Sequence, residues 1–314
     1  MKKKAIIISI KGTKLSKFEK KILREENPWG IILFKRNLKS FIQIKQLTNQ
    51  IKILSKNKHF PIMIDEEGKT VSRLKSIINH NFNSNYFGCL FKADRNFCIK
   101  IYKQYIDSLS KILLELGINI NTIPVLDVLR NSTNKVIGKR SFSNDKKIVK
   151  NLGKLTVNYL HNNKIAAVIK HIPGHGVSTK DSHLVTPKVE MNLKKLNNID
   201  FYPFKSSKAK LAMTAHILYK KLDKINVATF SKKIIQNIIR KKIKFNGIII
   251  SDDISMKALK YDLVKNAFKS LEAGCNLVLY CAGKSAENRK LLKSIPYIDD
   301  FTSKKTSEFY KFLR

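Results

Sequence analysis

Lys170-His171-Ile172-Pro173-Gly174-His175-Gly176-Val177-Ser178-Thr179-Lys180-Asp181-Ser182-His183 packs three histidines, two lysines and an aspartate into fourteen residues. Side chains of these types bind metals or move protons. His171 and His175 have the i, i+4 spacing that serves zinc on a helix, with Asp181 or His183 as a further ligand. Pro173, Gly174 and Gly176 break a helix there, so the segment reads as a loop and no metal is expected. The other chemistry is acid–base. Asp181 and His183 are two apart and point the same way on an extended segment. A carboxylate beside an imidazole orients the ring and favours its protonated form, a proton donor suited to neutral pH. A loop of solvated polar residues competes with this reading.

Two further segments place carboxylates after apolar runs. In Gly247-Ile248-Ile249-Ile250-Ser251-Asp252-Asp253 the adjacent aspartates point opposite ways on extended chain, so one can face a pocket. Such a carboxylate serves as a covalent nucleophile toward a sugar carbon or as a metal ligand, while Asp253 could cap a helix through Lys257 and Ala258. In Ile64-Asp65-Glu66-Glu67-Gly68-Lys69-Thr70-Val71-Ser72-Arg73 three acids crowd a strand end. Crowding is costly unless a polyhydroxylated ligand or a salt bridge with Arg73 binds them. Arg140, in Gly138-Lys139-Arg140-Ser141-Phe142, carries no message alone.

Eight short apolar runs position these groups: Ala5–Ile10, Gly30–Phe34, Pro61–Asp65, Ile118–Asp127, Ala166–His171, Leu211–His216, Gly247–Asp252 and Asn276–Cys281. They lack polar alternation, as strands buried on both faces do. Helical patterns lie between them. Phe97, Ile101, Tyr105, Leu109 and Leu113 recur every four residues before Gly117. Ile148, Leu152, Leu155 and Tyr159 follow a Ser143-Asn144-Asp145 start, and Ser231 caps a helix running to about Lys244. Eight strand–helix alternations predict an α/β fold, a single-domain (β/α)8 TIM-type barrel. No Gly-x-Gly-x-x-Gly follows the first strand, which weakens a doubly wound sheet. No repeat or linker divides residues 1–314, which read as one catalytic barrel domain. Asp65, Asp127, Lys170-His171, His216 and Asp252 all end strands, and in a barrel those ends converge on the rim where active sites sit.

Composition bounds the rest. The chain has 314 residues with 43% apolar content, so it builds a core; Gly (12) and Pro (7) are too few for collagen-like or linker-rich chains. The net charge is +39, with pI near 10.1. A polyanion-binding surface would explain it. So would Lys/Ile/Asn-biased residue usage, which the even spread of lysines favours. No specific nucleic-acid partner is expected. Cys89, Cys98, Cys275 and Cys281 match no zinc spacing and read as reduced, mostly buried thiols. The run after Met1-Lys2-Lys3-Lys4 is too short for a secretion signal, and no run approaches a membrane span. A cytoplasmic protein with no membrane partner is expected.

These motifs together resemble a known family. Ile-Asp-x-Glu-Gly at Ile64, Pro-Val-Leu-Asp-Val at Pro124, Gly-x-Arg-Ser-Phe at Gly138, the Lys170-to-His183 loop, Met-Thr-Ala-His at Met213, Ala-Thr-Phe-Ser at Ala228 and Ser-Asp-Asp-x-Ser-Met at Ser251 occur in family order. The chain resembles glycoside hydrolase family 3, and within it the NagZ-type bacterial β-N-acetylhexosaminidases of cell-wall recycling. The resemblance implies a cofactor-free retaining exo-β-N-acetylglucosaminidase, a monomer acting on muropeptides. It implies Asp252 as nucleophile, His183 as general acid/base and Asp181 as its dyad partner. This departs from the usual carboxylate pair. It also implies that Asp65, Arg73, Arg140, Lys170 and His171 hold the N-acetylglucosamine ring. His175 would shape the loop, and His216 and Asp127 would have no chemical role.

Two departures stand out. The family's Glu-Gly-Gly-Arg is Glu67-Gly68-Lys69-Thr70, which changes a turn or removes a salt bridge. The aspartate of Ala-Gly-Cys-Asp is Asn276. Two alternatives remain open at this level. One is a phosphorylase or another β-glycosidase, since a histidine acid/base leaves no carboxylate to repel phosphate. The other is a catalytically inactive, polyanion-binding barrel.

Overall fold

Eight apolar runs, most of them rich in isoleucine and valine, each form a strand: β1 Lys4–Ser9, β2 Pro28–Leu33, β3 Ile62–Ile64, β4 Ile120–Asn121, β5 Ala166–Ile172, β6 Leu211–Thr214, β7 Ile248–Asp253 and β8 Leu277–Tyr280. The computed structural model describes residues 2–314. All eight strands are parallel and pair in chain order, and β8 closes on β1 through Ile6↔Val278. The predicted barrel is therefore the observed fold. Side chains of β2, β3, β5 and β6 are buried throughout, as strands covered by helices outside and by barrel layers inside must be. Each buried Ile or Leu contributes about 1.5–3 kcal/mol.

The paired part of β4 is shorter than its apolar run. Pro124 has no N–H for the ladder, and pairing resumes only as a bridge between Val125 and Lys170. That resumption matters for the rim. Lys170 N donates to Pro124 O at 3.1 Å and Leu126 N donates to Lys170 O at 2.7 Å, so Asp127 is carried beside His171.

The helices form where expected, but their phase differs. Arg95–Glu115 buries Cys98, Tyr102, Ile106, Leu109 and Leu113, and leaves Phe97 exposed. A strict four-residue repeat drifts by about 40° per step on a 3.6-residue helix, so the predicted stripe slides off the core face. Lys146–Asn162 buries Val149, Leu152, Val157 and Leu160 behind its Asp145 cap, and Ile148, Leu155 and Tyr159 of the expected stripe pack, partly buried, along the edge of that face. Ser231 does cap its helix, accepting from Ile234 N at 3.1 Å, but Ile234–Lys242 is wound as a π-helix. The C-terminal helix Asp300–Leu313 seals the barrel bottom, where Trp29 Nε1 donates to Thr306 Oγ1 at 2.8 Å. A short parallel ribbon, Lys188–Val189 with Leu218–Tyr219, ties the end of the histidine-rich loop to the segment after β6. Among the described residues, no helix is long and apolar enough to cross a membrane.

Candidate active site

The C-terminal strand ends surround a cavity of about 300 Å³. Asp65, Arg73, Arg140, Lys170, His171, His183 and Asp252 all line it, although 187 positions separate the first from the last. Asp181 stands behind His183. Every predicted site residue is thus brought to one rim.

The wall beneath β3 and β5 is a charged network. Lys170, 2% exposed, sets its ammonium 3.2 Å from Asp65 Oδ1, 2.6 Å from Glu67 Oε1 and 2.8 Å from Thr122 Oγ1. Arg73 Nη2 donates to Asp65 Oδ2 at 3.1 Å. Arg140 grips Glu67 with two bonds of 2.7 and 2.9 Å. Glu66 turns the other way. Its Oε2 accepts from Arg73 N and Leu74 N at 2.8 and 2.9 Å, and its Oε1 lies 2.8 Å from His80 Nε2. Asp65 and Glu67 are therefore satisfied by the protein's own cations, and Glu66 Oε2 by the backbone. Burial alone would raise the Asp65 and Glu67 carboxyls. Lys170 with Arg73, and Arg140 with Lys170, instead hold them well below the usual carboxylate range.

The turn after β3 survives its sequence departures. Glu67 N donates to Val71 O at 2.9 Å and Lys69 N donates to Phe82 O at 2.8 Å. Gly68 sits at φ +120°, where a Cβ would stand 2.8 Å from Phe82 O, so this position demands glycine. Thr70 faces the cavity in place of the family's arginine. Asn276 keeps a structural role: its Oδ1 accepts from Ile249 N and Arg240 Nη2, both at 2.8 Å.

Asp252 and Asp253 diverge as adjacent strand residues should. Asp252 faces the cavity and accepts Asp253 N at 2.8 Å. Burial pushes its carboxyl up, but His216, His171, that backbone bond and His183 outweigh it and pull the group below its ordinary value. It is ionised at neutral pH. Asp253 does not cap a helix, because the next helix starts at Leu263 under Asp262. It accepts instead from Ser255 N, Ser255 Oγ and Cys281 N, while burial pushes its carboxyl up.

Asp181 and His183 meet by a different route from the one expected. The segment is a turn, not extended chain. Asp181 Oδ1 accepts both the backbone N and the Nδ1 of His183, each at 2.8 Å. Burial raises the Asp181 carboxyl, and the two bonds from His183 with the charges of His183 and His175 together outweigh it and lower the group. With Nδ1–H committed to Asp181, Nε2 is the ring nitrogen left to exchange a proton.

Three buried residues without an expected chemical role organise the rim. Asp127, fully buried, pairs with His171 Nδ1 at 2.7 Å and accepts His175 N at 2.5 Å. His175 meets Ser182 Oγ at 3.1 Å, which places it under the turn bearing His183. Burial, aided by His171, pushes the His175 ring down to about 4, so it stays neutral. His216 donates Nε2–H to Asp253 O at 3.1 Å and accepts from Thr229 Oγ1 at 2.7 Å, bracing the end of β7. The strand-end positions of Asp127 and His216 were visible in sequence; the bonding partners of the three, 7 to 48 residues away, were not. Of the cysteines, all free, Cys98 and Cys275 are buried, Cys281 lines the cavity and Cys89 is exposed.

An ionised carboxylate and an oriented imidazole around one polar cavity suit acid-assisted displacement at a sugar carbon. Comparison with known proteins gives the family. The model of the glycosyl hydrolase family 3 N-terminal domain matches residues 2–302. A beta-hexosaminidase of Hydrogenovibrio crunogenus is 34% identical over 281 residues, which cover 88% of this chain and 78% of the relative. NagZ from Neisseria gonorrhoeae, solved with N-trifluoroacetyl-D-glucosamine, aligns with a TM-score of 0.90 at 28% identity over 100% of this chain and 91% of that one. A family 3 β-N-acetylglucosaminidase from Paenibacillus sp. aligns with a TM-score of 0.88 at 25% identity over 98% of this chain, which spans only 60% of that longer protein. The barrel, its rim and these matches lead to one conclusion: the chain belongs to glycosyl hydrolase family 3 and is a glycoside hydrolase.

Proposed function

We propose that this protein is a retaining exo-β-N-acetylglucosaminidase. It removes terminal non-reducing N-acetylglucosamine from muropeptides, in which that sugar is linked to 1,6-anhydro-N-acetylmuramic acid with or without peptide. Residues 1–314 act as one monomeric catalytic barrel in the cytoplasm during cell-wall recycling. One observation carries the reading: ionised Asp252 and the Asp181-oriented ring of His183 open onto the same cavity.

Asp65, Arg73, Arg140, Lys170 and His171 hold the sugar ring. Asp252 attacks the anomeric carbon. The bond to the leaving oxygen breaks as protonated His183 gives that oxygen its Nε2 proton. A glycosyl-enzyme ester forms, and the ester no longer carries the Asp252 charge that faces the His183 ring. The ring is then neutral and takes a proton from water as the water oxygen displaces Asp252, so the sugar leaves with its β configuration. The excess positive charge draws the anionic substrate, over a range limited to about 8 Å at physiological salt.

The test is release of a chromogenic phenol from its β-N-acetylglucosaminide. Wild type is active, Asp252→Ala is inactive, and His183→Ala keeps part of the activity because the aryl leaving group needs little protonation. A folded wild type without activity would overturn the sugar assignment. Sugar 1-phosphate as the product in phosphate buffer would overturn hydrolysis.

A further inference from the structure

A second cavity, of about 430 Å³, opens on the barrel flank between the helix Lys146–Asn162 and the segment Pro203–Lys208. Its volume lies within the range of about 300–1,000 Å³ usual for ligand sites. Its floor is apolar, built from Leu126, Val157 and Pro203, all buried. Its rim is cationic, built from Lys150, Lys154, Lys205 and Lys208, with the hydroxyls of Ser206 and Ser207 among them. Among the described residues, no carboxylate lines it.

A few surface lysines meet an acid, as in Lys45 with Glu115, Lys103 with Asp107 and Lys284 with Glu287. Among the described residues, Lys150, Lys154, Lys205 and Lys208 have no such partner. Lys146 and Lys150 share one face, with ammonium groups 5.1 and 4.6 Å from the Tyr202 ring centroid. Burial and then the charges of Lys242, Lys150 and Lys146 push the Lys205 ammonium below its ordinary pKa. Such crowding raises the free energy of the empty site and is relieved by a multivalent anion.

We propose that this flank cavity binds a nucleotide-like ligand: a flat apolar body on the Leu126–Val157–Pro203 floor, with two or more phosphates held by the lysine rim. A bare polyanion would use the rim and ignore the floor. The site is separate from the catalytic cavity and shares no lining residue with it.

Isothermal titration tests this with ADP, inorganic pyrophosphate and adenosine at physiological salt. The variants are Lys150→Gln/Lys205→Gln and a control, Lys111→Gln/Lys232→Gln, which removes the same charge elsewhere. ADP should bind at one site, more tightly than pyrophosphate, with adenosine undetectable. The flank variant should weaken ADP at least tenfold, and the control less than twofold. Hydrolysis of an aryl glycoside, unchanged in both, reports that the variants fold. Equal losses in the two variants, pyrophosphate binding as tight as ADP, or no binding by wild type would each overturn the proposal.

Discussion

Lys170 and His183 stand thirteen positions apart in sequence and line the same cavity, yet the fold holds them very differently. The Lys170 side chain is 3% exposed, sits on β5, and is fixed by two carboxylates and a hydroxyl. The His183 side chain is 60% exposed, rides on a turn, and has one fixed partner, Asp181. In the proposed mechanism the strand-borne half, with Asp252 at the end of β7, is preorganised for the sugar ring. The turn-borne half would deliver protons, and bringing the exposed His183 ring over the leaving oxygen would be a conformational step of turnover.

The largest effect comes from breaking the rigid half. Lys170→Met leaves Asp65 and Glu67 buried with one cation fewer. Unfolding stability should fall by about 3–5 kcal/mol in denaturant titration, and activity should be lost together with sugar binding. A variant as stable as wild type would show that the network is not structural.

His183→Ala should leave the wall and the fold intact. The loss in kcat should depend on the leaving group: small on an aryl glycoside, and about 10²–10⁴-fold on the natural disaccharide. Equal losses on both substrates would remove the proton-donor role.

Asp181→Asn keeps a hydrogen-bonding partner for the ring but removes its charge. We expect about a tenfold loss in kcat/KM and a displaced pH–rate profile, with stability unchanged. An unaltered profile would reduce Asp181 to a turn former.

The smallest effect concerns pH and stability. Burial pushes the His161 and His175 rings down to about 4, so between pH 6.5 and 4 the unfolded chain binds protons that the folded one refuses. Stability is then lost as pH falls through that window. Asp200, which burial holds up to about 6, works in the opposite direction. His161 packs on Phe312 far from the rim, so His161→Phe should raise Tm at pH 5 by about 2–4 °C and not at pH 8. An equal shift at both pH values would point to packing instead.

The same contrast explains what could be read from sequence. The eight strands were legible because a parallel barrel buries both faces, which leaves continuous Ile/Val runs. Helix phase was less so: the four-residue repeat from Phe97 drifts around a real helix, and the Ile148 stripe marks only the edge of the buried face. The rim residues were legible by their place after strands. Their pairing was not: Glu67 finds Arg140 73 residues on, and Asp127 finds His171 44 residues on. Asp181 and His183 were legible as a pair by their spacing, whereas the Asp181 side chain bonding His183 N, which closes the turn, was not.

The most direct test of the two-half site is to identify the covalent intermediate. A fluorinated N-acetylglucosaminyl donor that slows the second step should load the enzyme, and mass spectrometry of its peptides should find the sugar ester on Asp252. His183→Ala should load equally when the leaving group is activated and should release the sugar more slowly. A sugar on another residue, or no adduct from a donor that is still consumed with β retention, would contradict Asp252 as nucleophile.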